Sequence, residues 1–303
     1  MQLPLSKWNV RDVLRWPLLA LVALGLACGG PPVILAKMTV NDGQFTFAGH
    51  PSQWIAASPA IDDLDKAPVA ILVEGDGGAC QSFDSKRWRR FLTKFTGNFT
   101  LVRPVTVVNR LCDTPAFGRL DFMHRQRELA ALIISVRAAF PGRPLVLIGH
   151  SAGAGLAVLH AVAQPGQVAA IVNLSGGLDP LDVVLRALCK TDVCRADTDA
   201  FIAKMRLNKT SDEPDKVRSG RFFAQLMELP LAEAWTKYQG PLLVLHGEHD
   251  PSVPVALVRS SLSRLPVRSN LTTRIEATWG HDILFKRDAW VQIDSWLRAQ
   301  LAK

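Results

Sequence analysis

Five short apolar runs, beginning near residue 68 and separated by helix-like stretches, limit what this chain can fold into. They read "PVAILVEG", "TLVRPVTVV", "LVLIG", "QVAAIVNLSGG" and "GPLLVLHGEHD". Each is dense in β-branched and aliphatic residues and lacks polar alternation, so each predicts a strand buried on both faces. Between them Leu129, Leu132, Ile133, Val136 and Phe140 recur at helical spacing, and Pro141-Gly142 ends that helix. A second helical pattern surrounds Trp88, Phe91 and Phe95, and an alanine-rich one follows "LVLIG". Continuous apolar strands alternating with amphipathic helices predict an α/β fold, a mostly parallel central sheet with helices on both faces. In such sheets the site lies beyond the carboxyl ends of the strands. Glycines and acids cluster there: Gly75 to Gly78, Ser151, Ser175 to Gly177, and Asp250.

Two regions depart from this rhythm. "KMTVNDGQFTFAGH" alternates and carries Asn41-Asp42-Gly43, which predicts a hairpin turning at those three residues. Residues from 178 to about 238 contain many charges, "NKTSDEPDK" and no strand pattern, and read as a mainly helical cap insertion over the rim. There are no internal repeats.

The first 27 residues differ in kind from the rest. Lys7, Arg11 and Arg15 precede "WPLLALVALGLAC", and Gly25 and Ala27 stand at the −3 and −1 positions of a cleavage site. The expectation is a signal peptide or N-terminal anchor over residues 1–27, leaving one α/β domain over 28–303. The protein would be exported, periplasmic or secreted, with membrane association through its N-terminus as the alternative. Cleavage after Ala27 would leave Cys28 first, which resembles a bacterial lipoprotein signal, although Gly25 stands where leucine is usual there. The remaining Cys80, Cys112, Cys189 and Cys194 are even in number and allow three pairings. An oxidising compartment favours bridges over free thiols. A net charge of +8 gives weak attraction to anionic surfaces. With no zinc-finger spacing or aromatic RNA-binding signature, it does not point to nucleic acid. The basic stretch "SKRWRRFLTK" reads as a solvated helix face. No metal-ligand spacing occurs and no cofactor motif is present.

The most specific feature is Gly149-His150-Ser151-Ala152-Gly153, set between a buried strand and a helix. A serine hydroxyl is a weak nucleophile at neutral pH and needs an activating base. A sharp strand-to-helix turn lifts its oxygen above the sheet, and small neighbours let the strained backbone close. The N–H of Ala152 then points to where an oxyanion would form.

"GHSAG" resembles the nucleophile elbow of the α/β-hydrolase superfamily, a resemblance that extends over about residues 68–300. "LVLHGEHDPSVPV" is similar to the superfamily strand that ends in the triad acid, which falls on Asp250. "WGHDILF" resembles its histidine loop, which falls on His281. The order Ser151, Asp250, His281 is the superfamily's order. The resemblance implies that His281 takes the serine proton while Asp250 fixes its tautomer. It also implies a second oxyanion donor from the loop Glu74-Gly75-Asp76-Gly77-Gly78, the N–H of Asp76 or else Gly77.

Rival readings exist for several residues. Asp179 and Asp182, after the preceding strand, compete with Asp250 as the acid. His246 lies within a strand pattern and reads as a core histidine; His150 reads as a local packing residue and His249 as loop surface. Asp282 adjoins His281 too closely to bond its ring. The acids Glu74 and Asp76 sit where positive dipoles are wanted. They either bond a backbone N–H or an arginine, with Arg186, Arg195 and Arg206 of the insertion as suppliers, or hold the amino group of a cationic substrate. The chain thus reads as an exported serine hydrolase acting on a small-molecule ester or acyl substrate through an acyl-enzyme on Ser151. An aminopeptidase-type hydrolase and a non-catalytic ligand-binding relative are the alternatives.

Overall fold

All five apolar runs become strands of one eight-stranded sheet. The computed structural model describes residues 38–47, 50–59, 64–75, 95, 97–105, 119–215 and 218–301. Its strands are β1 (Met38–Phe47), β2 (His50–Pro59), β3 (Val69–Val73), β4 (Thr100–Val105), β5 (Leu145–His150), β6 (Ala170–Leu174), β7 (Leu242–Gly247) and β8 (Leu271–Glu276). The spatial order is β1-β2-β4-β3-β5-β6-β7-β8. Only the β1–β2 and β2–β4 pairs are antiparallel; the other five are parallel.

Burial explains the uninterrupted apolar composition. Every residue of β3, β5, β6 and β7 is buried. Alternate side chains feed two cores: Leu145 and Leu147 of β5 point to one, Val146 and Ile148 to the other. The first core is closed by α1 (Phe122–Ala139) and α2 (Ala152–Ala163). Between β6 and β7 run α3 (Leu181–Leu188), α4 (Asp192–Leu207), α5 (Gly220–Glu228) and α6 (Leu231–Lys237), with a two-residue ladder at Pro214–Asp215 and Arg218–Ser219. Phe222 of α5 meets Phe122 of α1 edge to face at 6.1 Å. Gln225 of α5 caps α1, accepting from the Phe122 and Met123 amides at 2.8 and 3.2 Å. After β7 comes α7 (Val255–Ser263), and α8 (Arg287–Leu301) closes the second core with Trp290, Ile293 and Trp296. Phe95 joins that core edge to face with Trp290; the helical pattern expected before it, at Trp88 and Phe91, lies outside the described residues.

The hairpin expectation needs correction. Asn41-Asp42-Gly43 is not a turn: β1 runs straight through it, and the chain reverses between Phe47 and His50. Gly43 faces Trp54 across the ladder, and a Cβ there would fall onto the indole ring. The buried Trp54 occupies that space and donates its Nε1–H to Ser135 Oγ of α1 at 3.0 Å. Gly43 is thus a packing glycine.

Candidate active site

The join between β5 and α2 holds Ser151 at φ 54°, ψ −127°, a left-handed conformation that costs a non-glycine residue roughly 1–3 kcal/mol. Its neighbours explain how that strain is maintained. A Cβ on Gly153 would overlap the Val73 carbonyl, and one on Gly149 would strike the Ala154 backbone. A Cβ on Gly75 would lie 2.7 Å from Ser151 Cβ, so the end of β3 passes directly against the serine. The Ser151 N–H donates to the Leu174 carbonyl at 2.9 Å, tying the turn to β6. The first-turn amides of α2, Ala152 and Gly153, have no intrahelical carbonyl to bond and carry the positive end of the helix dipole. Beside this turn, Ser175 also has a positive φ of 53°, and Asn173 Oδ1 accepts the Gly176 amide at 2.8 Å.

The acid and the histidine stand at the ends of the next strands. A Cβ on Gly247 would lie 2.5 Å from the Gly280 carbonyl oxygen, so a glycine at the end of β7 admits the histidine loop. The His249 amide then donates to the Trp279 carbonyl at 3.0 Å. His281 Nδ1 lies 2.8 and 3.0 Å from Asp250 Oδ2 and Oδ1. Oδ1 also accepts the Ser252 and Val253 amides, at 2.8 and 2.9 Å. Burial pushes the Asp250 pKa up, but the His281 hydrogen bond and the Val253 and Ser252 amides outweigh it and leave the carboxyl below its ordinary value. An ionised carboxylate only accepts, so Nδ1 carries a hydrogen, and the tautomer this bond selects is the one that keeps a lone pair on Nε2.

Ser151 Oγ makes no hydrogen bond to the His281 ring among the described residues. The two halves of the site meet through His150, whose Nε2–H donates to the His281 carbonyl at 3.1 Å, with the rings 5.1 Å apart. Burial lowers the His150 pKa despite that bond. Catalytic hydrogen bonds are often long before substrate binds, so the missing contact does not remove Ser151 from the site.

The rival acids are committed elsewhere. Asp179 accepts from Ser261 Oγ and, at 2.6 Å, from Arg264 Nη2. Asp182 binds Arg186 and Arg206 at 3.1 and 3.0 Å, linking α3 to α4. His249 and Asp282 are exposed.

Glu74 is buried, and its carboxylate pairs with Arg103 of β4 through Nε at 3.0 Å and Nη2 at 3.3 Å. The arginine is therefore not one from the insertion: Arg186 binds Asp182 and Asp199, Arg195 binds Asp192, and Arg206 binds Asp182. The signal for Arg103 was present in the sequence as a lone cation inside "TLVRPVTVV", because a charge in a buried strand requires a partner. Arg125 of α1 adds a hydrogen bond to the Glu74 carbonyl. Asp76 and Gly77, proposed for the second oxyanion donor, lie outside the described residues, as do Cys28, Cys80 and Cys112. Cys189 and Cys194 form a disulfide between α3 and α4. Among the described residues no group of three or more His, Cys, Asp or Glu side chains could hold a metal ion.

A family model described as serine aminopeptidase, S33, matches residues 119–288, which hold Ser151, Asp250 and His281. No curated protein matches the chain. Est1E from Butyrivibrio proteoclasticus superposes with a TM-score of 0.59 at 14% identity, over 86% of this chain and 99% of its own. An acylaminoacyl peptidase of Pyrococcus horikoshii gives 0.58 at 13%, over 88% of this chain and 42% of its own. A bacterial membrane phospholipase A gives 0.56 at 18%, over 94% and 97%. At such identities the likeness is one of fold.

Proposed function

Because the chain belongs to the serine aminopeptidase S33 family, within the α/β-hydrolase superfamily, we propose that it is an exported serine hydrolase that cleaves carboxylic esters. The observation that carries this reading is the Asp250–His281 pair, with Nδ1 held by both carboxylate oxygens, at the rim where the strained Ser151 turn stands. In the proposed reaction His281 Nε2 takes the Ser151 proton as Oγ attacks the ester carbonyl. The oxyanion is met by the Ala152 N–H and by a donor from the Asp76–Gly77 segment. The C–O bond then breaks, the alcohol leaves with the proton from His281, and water repeats the cycle on the acyl-enzyme.

The family description favours a second reading, an aminopeptidase, which needs a carboxylate for the substrate's ammonium group. Glu74 is engaged by Arg103, so that reading falls to Asp76. Export is supported by the charged and apolar residues before Cys28, and the Cys189–Cys194 disulfide fits an oxidising compartment.

A fluorophosphonate probe, with a panel of p-nitrophenyl esters and aminoacyl amides, tests the reading. The probe should label the wild type at Ser151 and leave Ser151→Ala unlabelled and inactive, with esters preferred over amides. Labelling with amides preferred, and lost on Asp76→Asn, would favour the peptidase; an inert Ser151 would remove both.

A further inference from the structure

We infer that His246 is a positioning residue for the triad: its Nε2–H fixes the turn that presents the Asp250 carboxylate to His281. Its role in catalysis rests on the serine-hydrolase reading; its role in the turn does not.

His246 stands on β7, four positions before Asp250, and is fully buried. Its Nε2 lies 2.9 Å from the Val253 carbonyl. A carbonyl can only accept, so Nε2 carries the hydrogen and Nδ1 is bare. Val253 gives its own amide to Asp250 Oδ1 at 2.9 Å. The turn is therefore closed at both ends of one residue: the Val253 N–H holds the carboxylate, and the Val253 C=O is held by His246. His246 Nε2 also lies 3.5 Å from Asp250 Oδ2, the oxygen that is 2.8 Å from His281 Nδ1. The imidazole that holds the Val253 carbonyl thus also packs beside that oxygen.

A residue serving only to fill the core would not look like this. Among the described residues the buried Nδ1 of His246 has no hydrogen-bond partner, and burial lowers the ring's pKa, so the site holds a neutral ring with one half satisfied. An aliphatic side chain would fill the space without a desolvated nitrogen. What histidine alone contributes here is the Nε2–H, and that group points at the acid turn. Without it the Val253 carbonyl loses its donor, the turn can rotate, and the carboxylate no longer holds the His281 ring in plane.

The test compares His246→Leu, which keeps bulk, with His246→Gln, whose amide N–H reaches near the lost Nε2. Four quantities are read: the downfield proton resonance of His281 Nδ1–H, assigned by its absence in His281→Gln; kcat and KM on a p-nitrophenyl ester; and the thermal midpoint. In His246→Leu the resonance should shift upfield or vanish, and kcat should fall by about a hundredfold with little change in KM, as expected for a misplaced catalytic group. His246→Gln should recover the resonance and most of the rate. If His246→Leu fails to fold, His246→Asn, too short to reach the Val253 carbonyl, replaces it with the same expected outcome. An unchanged resonance, or equal losses in both variants that follow the thermal midpoint, would overturn the proposal. The resonance needs no substrate, so a wild type that turns over nothing but responds at His246 would sink the hydrolase reading and leave the positioning role standing.

Discussion

Asp250 and Asp179 show how environment separates two buried carboxylates that a linear reading could not fully distinguish. Asp250 is oriented by two turn amides and faces His281, whereas Asp179 is absorbed by Ser261 and Arg264. Asp250→Asn should therefore lower kcat/KM by roughly three to four orders of magnitude through the wrong His281 tautomer. Asp179→Asn should mainly loosen the contact with α7, changing the denaturation midpoint and sparing the rate. Full ester hydrolysis by Asp250→Asn would refute the assignment. The same carboxylate sets a pH dependence. Its folded pKa lies below the ordinary value because its hydrogen bonds outweigh burial. Its contribution to stability is therefore complete above the unfolded value of about 4 and is lost as pH falls through the folded value. Urea midpoints of the wild type and Asp250→Asn, compared between about pH 3 and about pH 7, should differ least at the acid end. A difference that grew toward acid would contradict the sign.

At the scale of elements, the buried parallel strands were legible because burial on both faces leaves an unbroken apolar run. The elbow was legible because three small residues flank a serine at a strand-to-helix join. β8 was not, since "LTTRIE" is an edge strand with no fully buried residue and reads as polar loop. β1 misled for a different reason: Asn-Asp-Gly has the local chemistry of a turn, but Gly43 is selected by the indole of Trp54 on the next strand. A contact between strands leaves no local mark that separates it from a turn. For Glu74 the expected arginine partner is present, but its place was not legible, because it lies across the β3–β4 pair rather than in the charged insertion. The Gly43 account predicts that Gly43→Ala destabilises by about 1–3 kcal/mol, as overpacking does. Chemical denaturation would measure it, and a neutral or stabilising effect would show that Trp54 has room to move. Removing the cap on α1 by Gln225→Ala should cost about 1 kcal/mol by the same measurement.

Over the whole molecule, packing is unevenly distributed, and the part of the β6–β7 segment around α4 is where it thins. The sheet is sealed by two large clusters, and Val184 of α3 and Phe222 of α5 join the first of them, whereas α4 rests on a small one built on Ile202, Met205 and Met227, with Leu181 and Leu185 of α3 and Phe223 of α5 against it. What reinforces that segment is covalent and ionic: the Cys189–Cys194 bridge, and Asp182 held between Arg186 and Arg206. The ion pairs involve half-exposed arginines, so screening by water leaves each of them a small contribution. The bridge closes a short loop, its cysteines five positions apart, for which chain entropy gives about 2 kcal/mol. That is a large share of the free energy holding a minor cluster together, and a small share of what holds the sheet. Replacing both cysteines by serine should therefore speed amide hydrogen exchange in α3 and α4 while β5, β6 and β7 keep their protection. Hydrogen exchange read by mass spectrometry on peptides from each region would test this. Equal acceleration in the strands would mean that segment and sheet open as one unit; unchanged exchange in α3 and α4 would mean the bridge constrains nothing that noncovalent packing does not already hold.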